Sequence, residues 1–440
     1  MRTSTSMSTS TSAEEPTGPE TSTEGDLAAT GAEAPTPRLG RGTLLLMSVA
    51  TGLSVAGNYF AQPLLDVIGR DLHLSAGTAA LVVTVAQTGY GLGLLLLVPL
   101  GDLLERRRLA VVLCALTAAF LTVTASAPNG ALLLVGTALT GLTSVAAQVV
   151  MPFAATLSAP AERGRTVGTV MTGLLLGILL ARTAAGLLAE LGGWRTVYWV
   201  NAALMLLMAV LLRLRLPALR TDAGLRYPAL LRSTLALFAQ EPVLRRRALL
   251  GALTFAGFST LWTAVVFLLS GPAYGWQEST IGLLGLVGAA GSLAATAAGR
   301  LADRGLAHRV TGVGACLLLA SWGLLAAGGT GGAWSLVALL AGVIVLDLAA
   351  HAVHVTNQNL IYAVRPEARN RLNSAYMTNY FTGGAAGSAL TSAVWGLGGW
   401  GGVCALGAGM AGAVVVVWAA EWAQRVRAAR AAAGSSGVGG

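Results

Sequence analysis

The chain has 440 residues, of which 55% are hydrophobic and only 11% are charged, against about 25% charged in an ordinary soluble domain. This composition excludes a soluble globular protein and indicates an integral membrane protein whose main partner is the lipid bilayer. The net charge of +9 comes entirely from arginine. Because the arginines lie in short loops between apolar segments, we expect no nucleic-acid partner.

Residues 1–40 are rich in Ser, Thr, Pro and Glu and contain no apolar run. Such a segment cannot bury a core, so we expect a disordered cytoplasmic tail. No positively charged start precedes an apolar stretch, and we therefore expect no cleavable signal peptide.

Twelve apolar stretches follow, most of them close to the roughly 20 residues that cross a hydrocarbon core. Because a segment in lipid must satisfy its own backbone hydrogen bonds, each is predicted to be an α-helix. The predicted spans are 43–64, 77–100, 109–127, 131–157, 167–190, 196–213, 247–270, 279–300, 310–328, 333–358, 372–396 and 400–420.

The chain also repeats itself at a spacing of 206 residues. Leu191–Trp194 and Leu397–Trp400 both read Leu-Gly-Gly-Trp, and the same spacing relates Gly177 to Gly383. This repeat predicts two pseudo-symmetric six-helix bundles, and duplicated membrane bundles usually bind solute where the two copies meet. The predicted units are the tail 1–40, the bundles 41–213 and 247–420, the linker 214–246 and a cytoplasmic tail 421–440.

Arginine sets the expected orientation. With the N-terminus inside, nearly all arginines fall in cytoplasmic loops and only Arg70 and Arg195 fall in outer loops, as the positive-inside rule requires. We expect a multi-pass protein of the plasma (inner) membrane of a bacterium, with both termini cytoplasmic. The linker is expected to lie against the inner leaflet as an amphipathic helix, with an apolar face of Leu230, Leu231, Leu235 and Phe238.

The loops after spans 2 and 8 carry similar charged motifs. Val98–Arg107 reads VPLGDLLERR, and Gly299–Arg304 reads GRLADR. With the twelve spans and the duplication, these loops resemble those of the major facilitator superfamily, in its bacterial drug and metabolite efflux-like branch, over residues 43–420. The resemblance implies a cytoplasmic charge network that favours one conformation of the two halves, formed by Asp102, Arg106, Arg107, Asp303 and Arg304. The alternative is a tight turn whose charges only set topology.

Span 5 is similar to the glycine-rich pattern of antiporters in that family. Small residues stand at each glycine position of the pattern, which keeps a close helix–helix contact possible. The matching positions are Gly168, Gly177, Ala181, Ala185 and Gly186. The family's proline is replaced by Arg182, a charged group inside a predicted span.

Span 10 contains four polar residues, Asp347, His351, His354 and Gln358. At 100° per residue they lie within about 60° of one another on the helix, so they share one face. This face is predicted to line a path for water, substrate or protons. The alternatives are a silent polar contact between helices and a metal site formed by the aspartate and the two histidines.

Arg182 and Asp347 are expected at similar depth. At 1.5 Å per residue, Arg182 lies about 25 Å along span 5 from Arg165, and Asp347 lies about 27 Å along span 10 from Arg365. Since spans 5 and 10 of the family belong to opposite halves, we expect Arg182 to pair with Asp347 in at least one conformation, directly or through His351. Asp347, His351 and Arg182 are the predicted proton-coupling and gating residues.

Spans 1, 4, 7 and 10 line the cavity in the family, and each carries polar or aromatic residues here. Asn58 and Gln62 are expected one turn apart on one helical face. The predicted substrate-binding residues are Asn58, Gln62, Gln148, Trp262, His354 and Gln358. Such a cavity is mildly polar and partly aromatic, and it favours a small amphipathic organic molecule.

These features predict a monomeric secondary transporter without a cofactor, because the chain has no phosphate-binding Gly-x-x-x-x-Gly-Lys loop. Proton-coupled antiport that exports a drug or metabolite by alternating access is the favoured interpretation. Proton symport for nutrient uptake is the second. An intramembrane enzyme or a non-transporting sensor is less favoured, because the sequence offers neither a nucleophile–base pair nor a soluble signalling domain.

Overall fold

The computed structural model describes residues 40–159, 162–218, 226–287, 297–365 and 368–436. Within these ranges the secondary structure is helical, with short turns between helices. The tail predicted for residues 1–40 lies almost entirely outside them. The helices are α1 Arg41–Ala56, α2 Leu65–Asp71, α3 Ala76–Leu96, α4 Arg106–Ala125, α5 Gly130–Thr143, α6 Ala146–Thr156, α7 Arg163–Gly192, α8 Trp194–Arg215, α9 Tyr227–Gln240, α10 Pro242–Ser270, α11 Glu278–Val287, α12 Ala307–Ala327, α13 Ala333–Val364 and α14 Arg369–Ser436.

The twelve predicted spans are confirmed. In the described ranges, nine helical segments are long and apolar enough to cross a membrane, and Arg41–Ala56 and Glu278–Val287 are shorter apolar helices. One of the nine, Arg371–Arg427, contains two spans, because Gly399 within it has non-helical backbone angles. The final helix continues to Ser436, well beyond the expected end at residue 420, so the predicted C-terminal tail begins as helix.

The 206-residue repeat is visible in the backbone. Gly193 and Gly399, the second glycines of the two Leu-Gly-Gly-Trp motifs, both have positive φ angles, of 80° and 52°. This left-handed region favours glycine because a Cβ atom is strained there. Each glycine separates two consecutive spans, so the same residue type makes the same break in both halves.

Gly177 and Gly383 also have equivalent places, each against the first span of its own half. A Cβ atom on Gly177 would clash with the Gly52 carbonyl on α1, and one on Gly383 would clash with the Ala252 carbonyl on α10. Small residues at these positions therefore allow direct backbone contact, which is how membrane helices pack closely.

Replacing Gly177 with alanine is expected to lower the thermal unfolding midpoint of the purified protein in detergent. The added methyl group would meet backbone atoms rather than a movable side chain, and such overpacking costs about 1–3 kcal/mol. Gly168→Ala on the same helix is the matched control, because nothing lies within 4 Å of its Cβ position. Equal midpoints for the two variants would contradict this packing.

Two helix pairs pack against each other across the boundary between the N-terminal and C-terminal halves. Helix α3 packs on α14, where Ser374 donates to the Leu94 carbonyl at 2.8 Å. Helix α7 packs on α11, where Thr183 donates to the Gly282 carbonyl at 3.1 Å. We call the surface between the halves the seam.

The linker contains the predicted amphipathic helix, but its apolar face lies on protein. Leu230 and Leu237 of α9 are buried, and Tyr227 donates to the Leu96 carbonyl of α3 at 2.7 Å. Leu235 alone of the expected apolar face is 54% exposed. The predicted apolar face is therefore largely covered by protein, and contact of α9 with the inner leaflet stays a prediction.

Candidate functional site

Asp347 lies on α13 and is 2% exposed. Its Oδ1 atom accepts a hydrogen bond of 3.3 Å from Nε1 of Trp262 on α10. The ring of His351, one turn along α13, has Nδ1 at 2.8 Å from the Asp347 carbonyl and packs edge-on against Phe258. In the described part of the chain, no three His, Cys, Asp or Glu side chains are grouped as a metal site requires.

Arg182 reaches the same region from α7 and is 3% exposed. Its Nε donates to Oε1 of Gln62 at 2.7 Å. Its guanidinium carbon lies 3.8 Å from the ring centroid of Trp262 and 5.1 Å from that of Tyr59, distances at which a cation is attracted by an aromatic face. The arginine is therefore held by an amide and by aromatic rings.

The expected contact between Arg182 and Asp347 is indirect in this conformation. Trp262 touches both residues, with its ring face on the guanidinium and its Nε1 on the carboxylate. Trp262, and not the expected His351, lies between the two groups in this conformation. Direct pairing in another conformation stays a prediction.

The other polar residues of α13 continue toward the end of the molecule where most arginines lie, here called the arginine-rich end. Nδ1 of His354 is 3.1 Å from the Tyr376 hydroxyl, and its ring lies 4.5 Å from that of Tyr380. Nε2 of Gln358 lies 3.4 Å from Oδ1 of Asn373. Together with Asp347 and His351 these residues face α10 and α14, as the single polar face predicts.

Sequence reasoning missed Phe258 and Tyr376. Phe258 belongs to a run of aromatic residues on α10 that also contains Phe255 and Trp262. The spacing of three and four residues places such rings on one helical face, and this signal was available in the sequence. Tyr376 lies four residues before Tyr380, so the same spacing argument applies to it.

A cavity of about 480 Å³ opens at the arginine-rich end of the seam. Gln148 lies in its wall, with Nε2 at 3.5 Å from the Tyr90 hydroxyl. Helix α9 closes part of it through Leu230 and Thr234. Both halves and the linker therefore form this cavity, which lies beside the Asp347 region and does not contain Arg182 or Trp262.

Asn58 lies away from the expected place. Helix α1 ends at Ala56 and a short 3₁₀ helix begins at Gln62, so Asn58 and Gln62 do not share a helical face. Asn58 instead borders a small space inside the N-terminal half with Thr137 and Tyr198. The prediction that the two side chains project together is wrong, because the helix breaks between them.

The charged loop of the N-terminal half forms a network within that half. Arg106 donates to the Thr156 hydroxyl at 2.9 Å and lies 3.5 Å from Asp102. Arg107 pairs with Glu105 at 2.9 Å and donates to the Leu216 carbonyl at 3.1 Å. These bonds tie the ends of four helices, which is compatible both with a conformational role and with a tight turn.

In the second loop, Arg304 is exposed. The side chain of Asp303 lies outside the described residues, so the expected role of this loop stays a prediction.

The opposite end of the seam is closed by an ion pair between the halves. Arg70 on α2 lies 2.6 Å from Asp66 and 3.3 Å from Glu278, the first residue of α11. Just inside this pair, Gly186 of α7 makes backbone contact with Glu278. The halves are therefore bridged at this end, beside a surface cavity of about 360 Å³ lined by Arg70 and Phe267, whereas the larger cavity lies at the arginine-rich end.

Arg70→Gln is expected to open the closed end more often. Surface ion pairs contribute about 0.2–1 kcal/mol, which corresponds to at most about a fivefold change in population. The measurement is the rate at which a membrane-impermeant maleimide labels a cysteine placed at Leu65, in a background with the native cysteines replaced by serine. Arg195→Gln is the control, because Arg195 pairs with Asp71 of its own half. An unchanged labelling rate in Arg70→Gln would show that the ion pair does not hold this end closed.

The sequence matches the family model described as Major Facilitator Superfamily over residues 47–388. A putative uncharacterized transporter of Escherichia coli (strain K12), YgaY, is 53% identical over 384 residues, which are 87% of this chain and 96% of that protein. A chloramphenicol resistance protein of Streptomyces lividans is 30% identical over 289 residues, which are 64% of this chain and 72% of that protein.

Among solved structures, the crystal structure of the nucleoside transporter NupG is similar, with a TM-score of 0.69 and 14% sequence identity. The match covers 86% of this chain and 99% of that chain. At this identity the likeness concerns the fold, and it agrees with the predicted all-α architecture of two six-helix bundles.

Proposed function

Because the chain belongs to the major facilitator superfamily and is a membrane transporter, we propose that it is a proton-coupled antiporter that exports a small amphipathic organic compound by alternating access. The observation that carries the proposal is the group formed by Asp347, Trp262 and Arg182 at the seam. Ionisable groups inside a membrane are costly and are kept where they serve transport.

Asp347 is the proposed proton carrier, with His351 as its neighbour. The charged and titratable groups that face Asp347 are Arg182 from α7, His351 from α13, and Tyr380 from α14. A proton on Asp347 would remove the negative charge that attracts Arg182. Proton binding would therefore weaken the attraction between the two halves at the seam.

Alternating access requires the halves to rock about the seam. We propose that residues 41–213 and 247–420 move as the two units and that the charged loop with Asp102 and Arg106 stabilises one of the two states. The closed outer end at Arg70 and the cavity at the arginine-rich end suit a state that faces the arginine-rich side. We propose that this side is the cytoplasm.

Export is favoured over uptake by the relative named for chloramphenicol resistance, which is 30% identical. The aromatic residues around Arg182, namely Tyr59, Phe258 and Trp262, suit a compound with an apolar or aromatic body. Gln148, which lines the cavity at the arginine-rich end, and His354 and Gln358 on α13 are the proposed polar contacts.

The test is flux in proteoliposomes that hold a pH-sensitive dye and are exposed to a panel of amphipathic compounds, including chloramphenicol. Antiport predicts that an outward compound gradient drives protons inward and that a pH gradient drives compound against its own gradient. Proton and compound moving in the same direction would support symport instead. Turnover of a compound without movement would contradict transport.

A further inference from the structure

We propose that Arg182 and Gln62 form a subsite for an anionic group, a carboxylate, of the transported compound. This inference rests on the proposed function, since it names the chemistry of the substrate. It starts from two hydrogen-bond donors that are buried and, in the described part of the chain, unpaired. Nη2 of Arg182 and Nε2 of Gln62 are both buried and have no hydrogen-bond partner among the described residues, although the two side chains are only 3% and 2% exposed.

The amide of Gln62 is oriented by the arginine. An arginine N–H needs an acceptor, so Oε1 of Gln62 must face Nε of Arg182, at 2.7 Å. The amide NH₂ is then directed away from the guanidinium bond and is left as a free donor. The pair therefore offers N–H groups and a positive charge, and its one strong acceptor is already used.

The side chains of Gln62 and Arg182 both border one small space. A cavity of about 10 Å³ is lined by Gln62 and Arg182 together with Trp262, Val265 and Ile281. The remaining lining is apolar, so the cavity itself offers these donors no acceptor. A buried donor without a partner costs about 1–3 kcal/mol, and an acceptor group placed here would recover that free energy.

A negatively charged acceptor fits this arrangement better than a neutral or positive one. Guanidinium groups bind carboxylates through parallel charge-assisted hydrogen bonds. In the present conformation Arg182 donates to Gln62, and the carboxylate of Asp347 accepts from the indole Nε1 of Trp262. A cation would be repelled by Arg182, and a neutral apolar group would leave both donors unpaired.

The rings of Tyr59, Phe258 and Trp262 lie around the guanidinium and would contact the body of the compound next to its carboxylate. The present cavity has only about the volume of one water molecule. A substrate therefore enters only when the halves separate and the indole of Trp262 leaves the guanidinium face. The substrate class that fits is an aromatic or aliphatic monocarboxylate, and the alternative source of the same chemistry is a free inorganic anion such as chloride.

The experiment measures binding to the full-length protein in detergent by calorimetry. A panel of aromatic monocarboxylates from benzoate to naphthoate is compared with the neutral amides of the same compounds, in gluconate buffer and in chloride buffer. We expect carboxylates to bind at least about tenfold more tightly than their amides and to lose that advantage in Arg182→Gln. Arg213→Gln, which removes an exposed arginine at the end of α8, should keep it.

Arg182→Lys covers the case in which Arg182→Gln does not fold. It keeps the charge but loses the planar fork, so carboxylate affinity should fall by about tenfold while folding is retained. Equal binding of carboxylates and amides would overturn the subsite. Saturable chloride binding without carboxylate preference would assign the site to an inorganic anion and would also overturn the proposal.

The outcome is separable from that of the proposed function. If neutral compounds show proton-coupled flux and carboxylates are not preferred, the antiporter proposal is supported and the subsite is contradicted. If carboxylates bind in a way that depends on Arg182 but no compound moves across proteoliposome membranes, the subsite is supported and the proposed transport is contradicted.

Discussion

Replacing Asp347 with asparagine is expected to abolish proton-coupled transport while leaving the protein folded. Asparagine has nearly the same shape, and its side-chain oxygen still accepts from Nε1 of Trp262, the bond that Asp347 makes at 3.3 Å. It cannot bind and release a proton in the working pH range. Flux driven by a pH gradient in proteoliposomes should therefore fall to background, a loss of about tenfold or more, which corresponds to about 1.4 kcal/mol or more of coupling free energy.

Exchange of compound across the membrane without a pH gradient is the internal check for this variant. Exchange needs only binding and rocking of the halves, so Asp347→Asn should retain it. Retained exchange with lost coupling would assign the proton to Asp347. Full coupling in Asp347→Asn would remove Asp347 from the mechanism and leave His351 as the carrier.

Asp71→Asn is the matched control, because Asp71 lies at the end of α2, at the same end of the molecule as Arg70. Hydrogen bonds from Arg195 and Trp194 lower the pKa of Asp71 below its ordinary value of 3.8. The group therefore stays ionised at neutral pH, and the stability that it contributes is lost only when the pH falls through the lowered pKa. Asp71 cannot carry a proton in the assay, so Asp71→Asn should keep full coupling.

The architecture was predictable because its signals are long and repeated. Twelve apolar stretches and a 206-residue repeat fix the number of helices and their pairing into halves. The polar face of α13 was predictable for the same reason, since four residues at helical spacing must share one side of a continuous helix. The positions of Asp347 and His354 follow from that face.

Contacts between distant residues were less predictable. The depth expected from residue spacing placed Arg182 near Asp347. Depth alone does not indicate which side chain lies between them, and in the structure it is Trp262. The prediction that Asn58 and Gln62 share a helical face was wrong because it assumed a continuous helix, whereas α1 ends at Ala56. A helical wheel has no information about such a break.

Arg247 shows that the sequence also does not reveal which charged residues pair with one another. At the sequence level it belongs with the arginines that set topology in loops. In the structure it lies on α10 and is 1% exposed, paired with Glu421 of α14. Glu421 falls just beyond the predicted end of the last span, so no pattern in the sequence brings the two together.

Removing Arg247 is expected to destabilise the C-terminal half strongly. Its Nη2 donates to both carboxylate oxygens of Glu421, at 2.5 and 2.6 Å, and Nη1 lies 3.5 Å from both Thr311 and Asn357. Arg247→Ala leaves a buried carboxylate without its main partner, which costs about 3–5 kcal/mol. The measurement is the free energy of unfolding in a denaturant titration of the detergent-solubilised protein, followed by circular dichroism.

A double replacement separates the penalty of an unpaired charge from the value of the pair itself. Arg247→Met combined with Glu421→Leu removes both charges and keeps similar volume, so stability should return to within about 1 kcal/mol of the unmodified chain or exceed it. Arg246→Gln, on the exposed neighbour of Arg247, should change stability by no more than about 0.5 kcal/mol. If Arg247→Ala and Arg246→Gln were equally mild, the carboxylate of Glu421 would be reaching water or Arg425, and the buried pair would not be what joins α10 to α14.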